Sequence, residues 1–297
     1  MRGTNGMEYL RKPEWLKVEK GRGQCGKVSR ILMNHQLNSV CSEAGCPNQG
    51  ECFQSGTATF MLLGKFCTRN CTFCQIAKGN PEPADESEPD HVAEAAREMG
   101  LTHVVITSVT RDDLPDGGAG HFARTIRAVR REVPQATIEV LIPDFNGDEA
   151  ALKTVMAEKP DILNHNVETV PELYEKVRPK AIFERSVELL SRAKNMDKAI
   201  CTKSGFMVGL GETDEQVFKL LETLHQAGCD MVTIGQYLQP SRNHYQVKKY
   251  VHPDVFERYR ESAYQAGISC VASGPLVRSS YHAQEDYLKL KQSLIQL

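Results

Sequence analysis

Cys67, Cys71 and Cys74 stand with three and two residues between them in the segment CTRNCTFC, a spacing at which thiolates from one loop converge on metal. A cubane cluster has four irons and usually four cysteine ligands, so a three-cysteine loop leaves one iron open to a small-molecule ligand. Cys41, Cys46 and Cys52 form a second set, with four and five residues between them in CSEAGCPNQGEC. Independent buried cysteines would seldom bunch in this way, so a second cluster is the natural reading. A structural zinc site is the plainer alternative. Zinc prefers four Cys or His ligands, however, and no histidine lies between His35 and His91 to complete either triplet locally.

The remaining cysteines, Cys25, Cys201, Cys229 and Cys270, share no ligand spacing and are expected to be small buried hydrophobes. His91, His121 and His252 lack an i, i+4 histidine partner and are expected to belong to no metal site.

The chain that must position these groups has 297 residues, 40% hydrophobic and 25% charged, with a net charge of −2. That composition is ordinary for a soluble globular protein. Acids and bases are interspersed, so the broad basic field that nucleic acid requires is missing. No apolar run is long enough to span a bilayer or direct export. Neither nucleic acid nor membrane is therefore an expected partner. Ten cysteines in a long, unexported chain point to metal rather than disulfides. Arg2, Arg11, Lys12 and Lys17 alternate with Glu8, Glu14 and Glu19, unlike an acid-poor organelle presequence. The expected location is the cytoplasm, or an organelle matrix if a presequence has been removed.

From Thr57 onward one phrase repeats, a short apolar run followed by a helical pattern, which is the signature of βαβ units and a parallel sheet. The strand candidates are Thr59–Leu63, His103–Thr107, Thr137–Ile142, Asp161–Asn164, Gly205–Val208 and Met231–Ile234. Six units are fewer than the eight of a closed barrel, so an α/β partial (β/α)6 TIM-like barrel or an open doubly wound sheet fits. Asp90 is expected to cap a helix with Val92, Ala95, Ala96 and Met99 on its apolar face and Gly100 at its end. Thr213 and Gln216 read as a capping box before Val217, Leu220, Leu221 and Leu224. Residues 79–90 read as a solvated acidic loop. Residues 1–56 form an N-terminal extension with the second triplet, 57–272 the barrel, and 273–297 a C-terminal arm. The Cys67 loop follows the first strand, where the active sites of parallel barrels gather.

With Phe73 at the aromatic position, CTRNCTFC resembles the CxxxCx(aromatic)C loop of the radical SAM superfamily, whose partial barrel the repeat also resembles. In such enzymes S-adenosylmethionine (SAM) chelates the open iron, and cluster-driven cleavage yields a 5′-deoxyadenosyl radical able to attack unactivated C–H bonds. Both triplets, together with RSSYHA from Arg278 to Ala283, resemble the lipoyl synthase family over nearly the whole chain. TSVTRDDLPDGGA (Thr107 to Ala119), NHNVETV (Asn164 to Val170), GLGET (Gly209 to Thr213) and GQYLQPS (Gly235 to Ser241) are similar to segments of that family too.

The resemblance implies two 4Fe–4S clusters and SAM. Cys67, Cys71 and Cys74 hold the first cluster; Cys41, Cys46 and Cys52 hold an auxiliary one, with Ser280 as its fourth ligand and Ser279 as second choice. An alkoxide-type oxygen is harder than a thiolate, so this bond suits release of the cluster's sulfur during turnover. Asn166 and Glu168 are candidates for a ribose hydroxyl of SAM, and Arg278 for orienting the RSSY arm or screening the auxiliary cluster. One departure concerns the Gly-Gly-Glu run that holds the methionyl amine in many radical SAM enzymes. Here it reads Gly117-Gly118-Ala119.

The implied reaction is insertion of two sulfur atoms, at C6 and C8 of an octanoyl chain amide-linked to a carrier lysine. Implied partners are the octanoylated lipoyl domain of a 2-oxoacid dehydrogenase E2 subunit or the glycine-cleavage H protein. An electron donor such as ferredoxin or flavodoxin, and an iron–sulfur carrier to rebuild the auxiliary cluster, are implied as well. Two rivals remain: a methylthiotransferase-like enzyme, whose C-terminal RNA-binding domain has no room in the expected layout, and a noncatalytic iron–sulfur protein.

Overall fold

The computed structural model describes residues 10–17, 26–55 and 57–295; Arg2, Glu8, Glu19 and Cys25 lie outside them. Runs of β-branched and apolar residues, spaced by helical segments, pair side by side in chain order. They are β1 (Thr59–Leu62), β2 (His103–Ser108), β3 (Thr137–Leu141), β4 (Ile162–Asn164), β5 (Cys201–Val208), β6 (Met231–Gln236) and β7 (Cys270–Gly274). All these pairings are parallel. A two-residue strand, Asn38–Ser39, adds antiparallel to β1, and β7 forms the other edge, so the sheet stays open.

The helices after the strands are α1 (Glu88–Met99), α2 (Ala119–Glu132), α3 (Glu149–Ala157), α4 (Phe183–Met196), α5 (Asp214–Gln226) and α6 (Pro253–Gln265). A last helix, α7 (Ala283–Ile295), follows β7. This is the expected partial (β/α)6 barrel with a seventh strand appended.

Alternation along each strand gives the sheet two faces. Phe60, Leu62, Val104, Ile106, Ile138, Val140 and Leu163 face the helices in one apolar layer; Val208, Val232 and Ile234 do so in the other half. The inner face begins with Ile162, Cys201, Met231 and Cys270, first residues of their strands, against Tyr287 and Leu290 of α7. The last helix therefore stops the bottom of the barrel, leaving the opposite end for the loops.

Three elements differ from expectation. β5 starts at Cys201 rather than Gly205, because its polar residues Thr202, Lys203 and Ser204 are all buried. Lys203 Nζ lies 2.9 Å from Glu139 Oε1 on β3, a partner no local pattern reveals. β7 was not expected, its sequence CVASG being short and small. α1 starts at Glu88, with Pro89 in the first turn where a missing N–H costs nothing. Glu88 is buried; it accepts from Leu63 N at 2.9 Å and meets His121 Nε2 at 2.7 Å. Residues 88–90 are therefore not solvated loop, and Asp90 sits inside the first turn, paired with Arg131 at 2.8 Å.

Gly100 ends α1, and the capping box of Thr213 and Gln216 forms as expected. Cys201, Cys229 and Cys270 are buried free thiols; burial pushes Cys229 up to about 12 and Cys270 up to about 11. His252 caps α6. Among the described residues no helix is long and apolar enough to cross a membrane.

Candidate active site

After β1 the chain turns through Leu63 and Gly64, both with positive φ, into the first cysteine loop. Parallel pairing of Phe66–Cys67 with Ala77–Lys78 closes its base. Most residues between the cysteines are anchored individually. Thr68 donates to Thr110 O through N (3.1 Å) and Oγ1 (3.0 Å). Thr72 N donates to Val177 O at 2.9 Å and its Oγ1 to Lys176 O at 2.8 Å. Tyr245 N donates to Thr72 O at 2.8 Å, and His244 Nε2 meets Cys74 O at 3.2 Å. Phe73 packs with Val177, Leu210, Tyr237 and Val247. Segments following β2, β4 and β6 thus all grip this one loop.

Arg69, between the first two cysteines, is 4% exposed. Its Nε and Nη2 donate to Asp112 at 2.9 Å each, and Nη2 also reaches Asp144 at 2.5 Å and Asn146 at 3.0 Å. Burial alone would raise the Asp144 carboxyl, but Arg69 outweighs it and holds Asp144 at about 2. Arg69 N donates to Cys67 Sγ at 3.4 Å, so the residue that this ion network anchors also touches a cysteine through its backbone.

Arg178 stands on the other side of the loop. Its Nη1 donates to Asn166 O at 3.2 Å, Val167 O at 3.3 Å and Tyr174 Oη at 3.1 Å, while its buried Nε has no partner. Burial raises the Cys71 thiol, and Arg178 opposes the rise. Cys74 is pushed up to about 12, again chiefly by burial. Thiols so placed must release protons to bind iron, and a buried guanidinium with a spare donor suits the resulting negative charge. Glu168, at φ 66°, accepts from Asn166 Nδ2 at 3.1 Å, and its charge acts on both Cys71 and Cys74. Asn166 and Glu168 are therefore gathered beside the first triplet. Arg69 and Arg178 escaped the sequence reading; the one available signal was an arginine lying between two ligand-spaced cysteines.

Other segments satisfy themselves. The Glu212 carboxylate accepts from the N–H groups of Gly209, Leu210 and Gly211 at 2.5, 2.9 and 3.1 Å, which closes the GLGET turn. Gly118 caps the start of α2, with its N–H given to Asp116 at 2.9 Å.

The second triplet is built on short helices. Cys41 lies in Val40–Glu43, whose cap Ser39 accepts from Cys41 N at 3.2 Å, and Cys52 lies in Gln49–Gln54. Burial, then the charges of Cys41 and Cys46, push Cys52 up to about 11, so the three sulfurs share one neighbourhood. The C-terminal arm folds back onto them. Asn48 Nδ2 donates to Leu276 O at 2.8 Å, and Tyr281 Oη donates to both Glu51 oxygens at 3.0 Å. Arg278 is close enough to lower the Cys46 thiol against the effect of burial. Ser280 lies between Arg278 and Tyr281, and its hydroxyl makes no hydrogen bond among the described residues. Ser279 turns instead into the barrel, where Asn164 Nδ2 donates to it at 2.7 Å.

Among the described residues no three His, Cys, Asp or Glu side chains have single-ion geometry. On a cubane each thiolate serves its own iron, so the donor chemistry is the relevant comparison. Two all-thiol triplets, each drawn from one short segment, fit clusters.

The Radical SAM superfamily model matches residues 61–224. A lipoyl synthase of Caldanaerobacter subterraneus subsp. tengcongensis is 58% identical over 274 residues, 92% of this chain and 96% of that protein. The chain belongs to the lipoyl synthase family. A second family member, from Alkaliphilus metalliredigens, is 54% identical over 280 residues, 94% of this chain and 97% of that one. Among solved structures, methylornithine synthase (PylB) aligns with a TM-score of 0.54 at 18% identity, over 71% of this chain and 62% of that one. At that identity the likeness speaks for the fold alone. As a radical SAM lipoyl synthase the chain uses SAM and two 4Fe–4S clusters.

Proposed function

We propose that this chain inserts sulfur at C6 and C8 of an octanoyl chain carried on a lysine of a lipoyl-domain protein. Cys67, Cys71 and Cys74 hold the SAM-binding cluster; Cys41, Cys46, Cys52 and Ser280 hold the auxiliary one. When bound, the first cluster with SAM supplies a 5′-deoxyadenosyl radical and the second supplies sulfur. The protein's own residues do the rest. The Arg69 network fixes the loop beside Cys67, and burial around Cys71 and Cys74 excludes water. Asn166 and Glu168 offer an amide and a carboxylate to the ribose hydroxyls. Arg278 balances charge beside Cys46 and orients the arm.

The observation that carries this reading is the seating of the RSSY arm on the second cysteine segment through Asn48, Glu51 and Tyr281. That seating supports Ser280, the residue before Tyr281, as the fourth donor to the three thiols. The carrier is the octanoylated lipoyl domain of an E2 subunit or the glycine-cleavage H protein. Ferredoxin or flavodoxin provides electrons, an iron–sulfur carrier rebuilds the auxiliary cluster, and the reaction runs in the cytoplasm. Residues 1–56 and 273–297 act together as the auxiliary site around the barrel of residues 57–272.

The test is anaerobic reconstitution followed by incubation with SAM, a reductant and an octanoylated lysine peptide. Two sulfur atoms should appear on the peptide alongside 5′-deoxyadenosine. Formation of 5′-deoxyadenosine without sulfur gain contradicts the substrate assignment; colourless protein that leaves SAM intact contradicts the whole reading.

A further inference from the structure

The inside of the barrel holds a buried polar chain that the reaction chemistry does not account for. Lys203 Nζ donates to Glu139 Oε1 at 2.9 Å, and Asn164 Nδ2 donates to the same oxygen at 3.0 Å. Lys203 is 1% exposed, and Glu139 and Asn164 are fully buried. Asn164 Nδ2 also donates to Ser279 Oγ at 2.7 Å. Ser279 Oγ donates onward to Asn166 Oδ1 at 3.3 Å, and Asn166 Nδ2 to Glu168 Oε1 at 3.1 Å.

The direction of this chain is fixed by its ends. An ionised carboxylate only accepts, so Glu139 must face the amide nitrogen of Asn164; the flipped amide would set oxygen against oxygen. Ser279 must then accept from Asn164, which leaves its single proton for Asn166. Asn166 in turn presents its nitrogen to Glu168. The Ser279 hydroxyl is thereby used as both acceptor and donor, whereas that of its neighbour Ser280 makes no hydrogen bond among the described residues.

The barrel wall is shaped for this insertion. A Cβ on Gly235 would stand 2.3 Å from Val277 O and 3.1 Å from Arg278 Nη1, so the arm enters where β6 carries no side chain.

We infer that Ser279 is a positioning residue: its hydroxyl, held between Asn164 and Asn166, locks the RSSY arm into the barrel and so presents Ser280 to the auxiliary cluster. The inference rests on the assignment of Ser280 as an iron ligand. It also ties the arm to Glu168, beside the SAM cluster, through the one amide of Asn166.

The test compares Ser279→Ala, Ser279→Thr and Ser280→Ala, first without clusters. Trypsin cleavage after Arg278 requires the arm to leave the barrel. Ser279→Ala should speed it at least about tenfold, since the variant loses two hydrogen bonds, one from the fully buried Asn164 and one to the partly buried Asn166. Ser279→Thr, which keeps the hydroxyl, should restore the slow rate, and Ser280→Ala should leave it unchanged. After reconstitution in a Cys67→Ala background, which leaves the auxiliary cluster alone, Ser280→Ala should give a three-iron signal on mild oxidation, while Ser279→Ala should keep a four-iron auxiliary cluster; with Cys67 in place, Ser279→Ala should make less product per 5′-deoxyadenosine. Unchanged cleavage in Ser279→Ala, or a three-iron signal confined to that variant, overturns the inference. A three-iron signal in neither variant refutes Ser280 as ligand, and the cleavage rates then decide the role of Ser279 by themselves.

Discussion

The two cysteine triplets are alike in composition and unlike in support. The Cys67 loop is gripped by segments from three other strands, and Arg69, held by a buried ion network, donates its backbone N–H to Cys67 Sγ. The Cys41 segment consists of two short helices joined to the arm by an asparagine, a tyrosine and an exposed glutamate. Rigid support suits a cluster that must survive each turnover. On the proposed assignment, a site closed by the C-terminal arm suits a cluster that is opened, spent and rebuilt. On that assignment the two sites differ less in their ligands than in what holds them.

The strongest way to break this comparison is to remove one ligand from each side. Cys67→Ala should reduce 5′-deoxyadenosine formation to background while iron at the auxiliary site stays, as measured by product assay and Mössbauer spectroscopy. Cys41→Ala should do the reverse, cleaving SAM without adding sulfur. Next in size is Arg69→Met. Asp144, whose side chain is fully buried, would lose its main cation, and breaking such a buried pair costs about 3–5 kcal/mol. Denaturant unfolding should register that loss.

Acid should separate the regions as well. Burial opposes ionisation of Glu139 and Asp144, yet Lys203 with His103, and Arg69, hold them at about 2. Carboxylates held low add stability above their ordinary range and lose it as pH falls through their folded values. The barrel should therefore lose melting temperature between the ordinary carboxylate values of 4.5 and 3.8 and about pH 2, with a shallower fall in Arg69→Met. The smallest effect belongs to Tyr281→Phe. Losing one hydrogen bond to the exposed Glu51 should cost about 0.5 kcal/mol of arm docking, the low end for a hydrogen bond, read as slightly faster trypsin cleavage after Arg278.

Much of this molecule is legible along the chain because its signals are local. The cysteine spacings, the capping box at Thr213 and the apolar runs of β1 to β4 need only a few neighbouring residues. What escaped depends on distant partners. Lys203 looks like a surface residue until Glu139 is set beside it, 64 positions earlier. Arg69 is explained by Asp144, 75 positions later, and Ser279 by Asn164, 115 positions earlier. Ser279 and Ser280 are adjacent and chemically identical, and only the barrel interior tells them apart.

The central claim is that one cluster persists while the other is consumed. The direct measurement is Mössbauer spectroscopy of iron-labelled protein before and after a single turnover on an octanoylated peptide, with Cys41→Ala supplying the spectrum of the SAM cluster alone. The account predicts that the spectrum remaining after turnover matches that of Cys41→Ala, the rest having been lost in proportion to sulfur gained by the peptide. Product formed with both clusters undiminished, or with loss confined to the Cys67, Cys71 and Cys74 cluster, would contradict it.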